Sequence, residues 1–178
     1  MGFFSAAFFE RLSKALSDQA EAVSCASVAN HFLELARQES RALTAMQLNS
    51  LLYLAHGWHL AYLNKPLLND SFVAWRHGIK PLAFYSALVK HGSQGISSPF
   101  RSGPGPLGYE FTPDLPAEGM AFLQRCWTSH ARFSGLELVA MTTGPGSLWA
   151  QRWQGKEVFL DDADIKDHFQ AKYQRLKA

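Results

Sequence analysis

Between Thr44 and Tyr62 the chain encodes one long helix with little polar surface. Thr44 and Gln47 have capping-box spacing, in which the side chains at N-cap and N3 satisfy each other's backbone N–H groups. Leu48, Leu51, Leu52, Ala55, His59 and Tyr62 then fall on one face, and Tyr53 and Trp58 add apolar bulk beside it. Asn64 with Lys65-Pro66 ends the element. A helix that is apolar on more than one side has to be surrounded, so this one is expected at the centre of the fold.

The remaining elements are arranged around it in chain order. Val28, Phe32, Leu35 and Ala36 form the stripe of a helix from Ser27 to Gln38 or Glu39. Phe72 to Trp75 reads as a short strand that Gly78 turns away from, and Pro81 opens a helix reaching about Lys90, with Gly92 as its left-handed terminator. Ala117 to Thr128 reads as a helix burying Met120, Leu123 and Trp127. Ser134 and Glu137 repeat the capping-box spacing and open a helix through Met141, followed by a turn over Thr142 to Ser147. A helical turn carries Trp149 and Trp153, Glu157 to Leu160 can form a strand, and Asp162 is placed to cap a last helix. Its stripe is Ile165, Phe169, Lys172 or Tyr173, and Leu176.

Two stretches lie outside this pattern. Residues 92–116 hold five of the eight prolines, at 99, 104, 106, 113 and 116, and read as a long Gly/Pro-rich loop. Residues 1–20 place Phe4, Phe8, Leu12, Ala15 and Leu16 at helical spacing, an amphipathic extension expected to dock on the body that follows. The fold class expected is mainly α: a single compact helical domain over residues 25–176, with a short two- or three-stranded β element.

Composition narrows the function. A chain of 178 residues that is 47% apolar and 13% aromatic is not disordered. The formal charge is +2, from 17 basic and 15 acidic side chains without any Lys/Arg run, so direct nucleic-acid binding is not expected. No apolar run approaches the roughly 20 residues that cross a bilayer, which argues against a membrane partner. Met1 to Ser5 carry no basic leader, so the expected location is cytoplasmic. Cys25 and Cys126 fit buried thiols in a reducing compartment better than a disulfide framework.

The motifs that suggest chemistry are incomplete. His56 and His59 share a helix face and make a metal-dependent hydrolase one alternative function, beside a partner-recognition module of a mobile element or secretion system, but a third ligand and a base are missing. The metalloprotease pattern needs histidines four apart with an intervening glutamate. Flanked by Tyr53, Trp58 and Tyr62, the pair reads as hydrogen-bonded packing residues. Ser147 lacks a nucleophile elbow, and Gly103-Pro104-Gly105-Pro106 lacks the N–H groups of a phosphate cradle. Asp161, Asp162 and Asp164 lack the glycine and distal glutamate of a calcium loop. No catalytic residue, metal or cofactor is expected.

One continuous block carries a family resemblance. Leu43-Thr44-Ala45-Met46-Gln47-Leu48 leads into Leu51-Leu52-Tyr53-Leu54-Ala55-His56-Gly57-Trp58-His59-Leu60-Ala61, then Pro66-Leu67, Ala74-Trp75-Arg76-His77-Gly78, Tyr85 and His91-Gly92. Val28-Ala29-Asn30-His31-Phe32 precedes it, and Gly135-Leu136-Glu137-Leu138 with Trp149 follows. This block resembles the Panacea domain, the family of SocA-like antitoxins and phage-associated GepA-like proteins. The chain departs from the family pattern at Gly78-Ile79-Lys80, where Gly-Pro-Val is common, and at Thr142-Thr143 and Leu148-Trp149. The resemblance implies an antitoxin that binds a co-encoded toxin and, in some relatives, delivers it to a protease. The implied partner is a protein, the cognate toxin, and a homodimer is the further association to test. Leu48, Leu52, Ala55 and Trp58 read as core, and Trp75 as largely buried. The expected partner-binding set is Trp75 with the residues around it: Arg76, His77, Lys80 and Tyr85.

Overall fold

The computed structural model describes residues 21–103 and 108–177. The first half of the described chain runs α1 (Cys25–Gln38), β1 (Leu43–Thr44), α2 (Ala45–Leu63), β2 (Phe72–Trp75), β3 (Gly78–Pro81), α3 (Tyr85–Val89) and β4 (Gly95–Ile96). The second half runs α4 (Ala117–His130), α5 (Gly135–Thr143), α6 (Leu148–Arg152), β5 (Val158–Leu160) and α7 (Asp162–Lys177). The amphipathic extension expected over 1–20 lies outside the described residues.

Helix α2 is the axis of the fold. Its capping box is complete: Thr44 Oγ1 accepts from the Gln47 N–H at 3.3 Å, and Gln47 Oε1 accepts from the Thr44 N–H at 3.0 Å. At the other end Asn64 takes the left-handed conformation, φ 56°, and its N–H bonds to Leu60 O. Every residue from Leu51 to Leu60 is buried, because α7, α5, α4, α1, α3 and strand β3 all pack around the helix. Gly57 permits a close approach of α7. A methyl carbon at that position would lie 2.5 Å from Cδ2 and Cζ of Phe169 on α7. The Phe169 ring fills the space, edge-on to Tyr53 at 5.6 Å and to Trp58 at 5.0 Å.

The β structure is small. Strands β3, β2 and β5 form an antiparallel sheet in that order, with Phe72 opposite both Pro81 and Leu160. A second ladder pairs Leu43 with Ile96 and Thr44 with Gly95. Strand β4 of that ladder belongs to the Gly/Pro-rich stretch. Farther along it, Asn30 of α1 donates from Nδ2 to both Phe100 O and Phe111 O, at 2.8 and 2.9 Å, and accepts from the Phe100 N–H at 2.7 Å. One carboxamide thus fastens two points of the excursion to a helix.

Several local expectations are corrected. Pro81 does not start a helix. It closes β3 opposite Phe72, on an edge strand where its missing N–H costs no ladder bond. Helix α3 begins at Tyr85, after the Asp70 carboxylate has accepted from the N–H groups of Ala83 and Phe84. Gly78 opens the second strand of a hairpin and does not leave the sheet; its φ of 121° suits a residue without Cβ. Thr142 and Thr143 belong to α5, their hydroxyls donating back to carbonyls of Leu138 and Val139. Helix α1 starts at Cys25, where Ser24 caps it by accepting from the Ser27 N–H. Met120 is only half-buried, while Phe122 and Cys126 fill the α4 face instead.

Candidate functional site

The short sheet, α3, α5 and the start of α2 enclose a cleft of about 450 Å³. Its geometry begins with the hairpin. Trp75 pairs with Gly78, so Arg76 and His77 form a two-residue tip, and both stand exposed. The expectation that Trp75 is largely buried is corrected: it is half-buried, because one side of its ring belongs to the cleft. His77 packs edge-on to Trp75 at 4.8 Å, as does Tyr85 from α3 at 5.2 Å. Lys80 Nζ lies 4.5 Å from the Trp75 ring centre and 5.2 Å from that of Tyr85, and pairs with Glu157 at 2.7 Å. The structure therefore brings Trp75, Arg76, His77, Lys80 and Tyr85 into one cluster.

The five residues do not play equal parts in it. The Lys80 charge is already matched by two rings and a carboxylate, so the lysine stiffens the hairpin. Arg76 makes no ion pair or hydrogen bond with the described residues. The hairpin is pinned from behind as well, because Trp149 on α6 donates its indole N–H to Trp75 O at 2.7 Å.

The opposite wall is absent from the residues that sequence reasoning selects. Met46 and Leu136 each occupy the second position after a capping residue, Thr44 in α2 and Ser134 in α5. The two helix starts touch: a methyl at Gly135 would meet Met46 Sδ at 3.0 Å, and Gln47 Nε2 donates to Phe133 O at 3.2 Å. Both side chains remain exposed, Met46 at 44% and Leu136 at 74%, as does Val89 of α3 at 53%. All three line the cleft. The sequence does hold a signal for the first two, a large apolar residue between cap and N3 in each capping box. Side chains there lie outside the core stripe of their helix.

Asn49 lies on the cleft wall, donating from Nδ2 to Ile79 O at 2.6 Å. Its Oδ1 is buried without a hydrogen-bond partner. Among the described residues no carboxylate lines the cleft. The nearest acid on α5, Glu137, is committed to its own capping box, accepting from Ser134 N–H and Oγ–H at 2.8 and 2.7 Å.

A second depression of about 640 Å³ lies between α1 and the 96–113 stretch. The charged residues on its rim are paired: Glu34 with Arg37, Arg41 with Glu39, and Glu110 with Arg101. That matching favours the hairpin cleft as the site.

The histidine pair is occupied by the fold. His56 is fully buried, and its Nδ1 accepts from the Leu68 N–H at 3.2 Å. That acceptance places the proton on Nε2, which donates to Asp162 Oδ1 at 3.0 Å. The expectation that Asp162 caps α7 is corrected accordingly, since its carboxylate reaches across to α2. His59 Nδ1 donates to Lys65 O at 2.7 Å, and burial pushes its pKa down to about 4. Among the described residues, no group of three His, Cys, Asp or Glu side chains is placed to hold a metal ion. Ser147 caps α6 through its Oγ. Cys25 and Cys126 are buried free thiols whose pKa burial drives upward. No helix among the described residues is long and apolar enough to cross a membrane.

Fold and cleft together define a mainly helical protein with a small sheet, whose hairpin cleft is largely apolar and carries one guanidinium unpaired among the described residues. The chain belongs to the family Antitoxin SocA-like, Panacea domain, whose sequence profile matches residues 48–150. That span takes in most of the cleft, from Asn49 to Trp149. The chain is also similar to Antitoxin SocA of Caulobacter vibrioides (strain NA1000 / CB15N), with 27% identity over 165 residues, 86% of each chain. No solved structure gives a significant match.

Proposed function

We propose that this protein is an antitoxin that binds a co-encoded toxin and neutralises it by holding it at the hairpin cleft. The observation that carries the reading is the clustering of exposed apolar side chains. Of the six large hydrophobic residues exposed among the described residues, Met46, Val89 and Leu136 surround one groove. Large apolar side chains gathered at one surface mark sites of protein contact, and Trp, Tyr and Arg are the residue types that anchor such contacts. Trp75, Arg76, His77 and Tyr85 are the anchors proposed, and Lys80 is the residue that positions two of them. The binding unit is residues 25–176, with residues 1–20 as an extension, acting in the cytoplasm.

The test is co-expression with the product of the adjacent gene. The wild-type chain restores growth and co-purifies with that product, whereas Leu136→Asp does neither while keeping its helical circular dichroism. If the wild-type chain neither protects nor co-purifies, the proposal falls. The lifetime of the toxin in protecting cells separates two mechanisms: it is unchanged if neutralisation is by occlusion and shortened if the toxin is delivered to a protease.

A further inference from the structure

We infer that the hairpin cleft takes an acidic, apolar segment of its protein partner, with an apolar side chain seated among Met46, Val89 and Leu136 and a carboxylate paired to Arg76. This rests on the proposal that the cleft is a protein-binding site and adds the chemistry of what enters it.

The argument is one of charge and shape. Among the described residues the lining carries Arg76 and His77 but neither aspartate nor glutamate. Of its neighbouring charges, Lys80 is paired with Glu157, and the Glu137 carboxylate is turned to its own helix cap, accepting from Ser134. The Arg76 guanidinium is left without a partner among the described residues, on an exposed hairpin tip held still by Trp149. A guanidinium presents paired donors that suit a carboxylate bidentately. The start of α2 also faces the cleft through Ala45 and Met46, and no acidic residue stands in its first turn. The positive end of that helix therefore adds to the field at the cleft. A basic segment would meet repulsion from both, and a wholly apolar one would leave Arg76 desolvated and unpaired. The groove is about 450 Å³, within the range of roughly 300–1,000 Å³ typical of ligand pockets. It therefore suits a short segment carrying one or two anchoring side chains.

The test can be run without the partner in hand. A random-peptide phage library is selected on the full chain, and the winners are resynthesised and titrated against wild type, Arg76→Ala and Leu136→Asp. Both positions are exposed, and thermal melts of each variant confirm that the fold is kept. The expected winners carry Asp or Glu within one turn of a large apolar residue. Arg76→Ala weakens them about 10- to 100-fold, the worth of one charge-assisted contact, and Leu136→Asp abolishes binding.

The inference is overturned if the winners lack acidic residues, if they ignore both substitutions, or if no peptide is enriched. The toxin assay reads out separately. A toxin that co-purifies equally well with wild type and Arg76→Ala sinks this inference and removes Arg76 from the proposed anchors, while the antitoxin proposal itself stands. Acidic peptides that bind the cleft of a chain protecting against no toxin do the opposite, upholding the inference while the antitoxin proposal falls.

Discussion

Gly57→Ala tests whether the central packing is as tight as the structure shows. In an exposed helix this change stabilises by about 0.5–1 kcal/mol, because glycine loses more backbone freedom on folding. Here the new carbon would lie 2.5 Å from Cδ2 and Cζ of Phe169, whereas carbon atoms rest about 3.5–4 Å apart. The ring, or α7 with it, must retreat by about 1 Å. Phe169 is fully buried between Tyr53 and Trp58, so no space is waiting for it. Overpacking of this kind costs about 1–3 kcal/mol, which leaves a net loss of about 1–2 kcal/mol after the propensity gain. That corresponds to a fall in Tm of roughly 2–8 °C. Calorimetry and urea melts measure it. Phe169→Leu supplies the control: the double variant is expected to be less destabilised than the sum of the singles by about 0.5 kcal/mol or more. A Tm at or above wild type for Gly57→Ala, or strict additivity in the cycle, would refute the reasoning.

Other substitutions and conditions probe different parts of the molecule. The buried Tyr53 hydroxyl has no hydrogen-bond partner, so Tyr53→Phe is expected to raise stability by about 1 kcal/mol; a loss in urea melts would show that the hydroxyl is satisfied. Burial holds His59 down to about 4, and lowers His31, His130 and His168 too. The unfolded chain therefore takes up protons near pH 6.5 that the folded chain refuses. Stability is full above that pH and falls as pH drops toward 4, with His59 alone contributing roughly 3 kcal/mol. Melts at intervals from about pH 7.5 down to about pH 4.5 that show no fall would contradict this. Cys25 and Cys126 are buried with raised pKa, so a thiol reagent should label neither until denaturant is added. Trp149→Phe removes the N–H that bonds to Trp75 O; about 1 kcal/mol of stability should go with it, together with a change in the tryptophan fluorescence of the hairpin.

Helix α2 is legible in the sequence because caps and stripe agree: Thr44, Gln47 and Asn64 mark its ends, and its apolar residues fix its central place. The same holds for α5, whose Ser134 and Glu137 form the box their spacing suggests. Pro81 misleads because proline suits a helix start and an edge strand equally well, and only the pairing partner Phe72 decides between them. Asp162 misleads for a similar reason. An aspartate near a helix start satisfies local capping, but a buried imidazole from α2 competes for it over a sequence distance that periodicity does not register. At the cleft, Trp75, Arg76, His77, Lys80 and Tyr85 are within reach of sequence reasoning because they lie close together in the chain. Met46 and Leu136 show only a local sign of exposure, their place between cap and N3; that they share one cleft is not legible, since they come from distant helix starts that meet only when α5 packs on α2.

The grip of Asn30 on Phe100 and Phe111 bears on how this chain tolerates change. A single amide group holds both Phe100 and Phe111, and the Arg101–Glu110 bridge lies just beyond them, so these anchors set how the excursion meets α1. Extra residues or a spliced epitope introduced beyond those anchors should leave α1 and α2 undisturbed, whereas losing Asn30 would untie Phe111 and leave Phe100 held by the rings of Phe84 and His91. Chain length is thus negotiable in the span itself and fixed at its moorings.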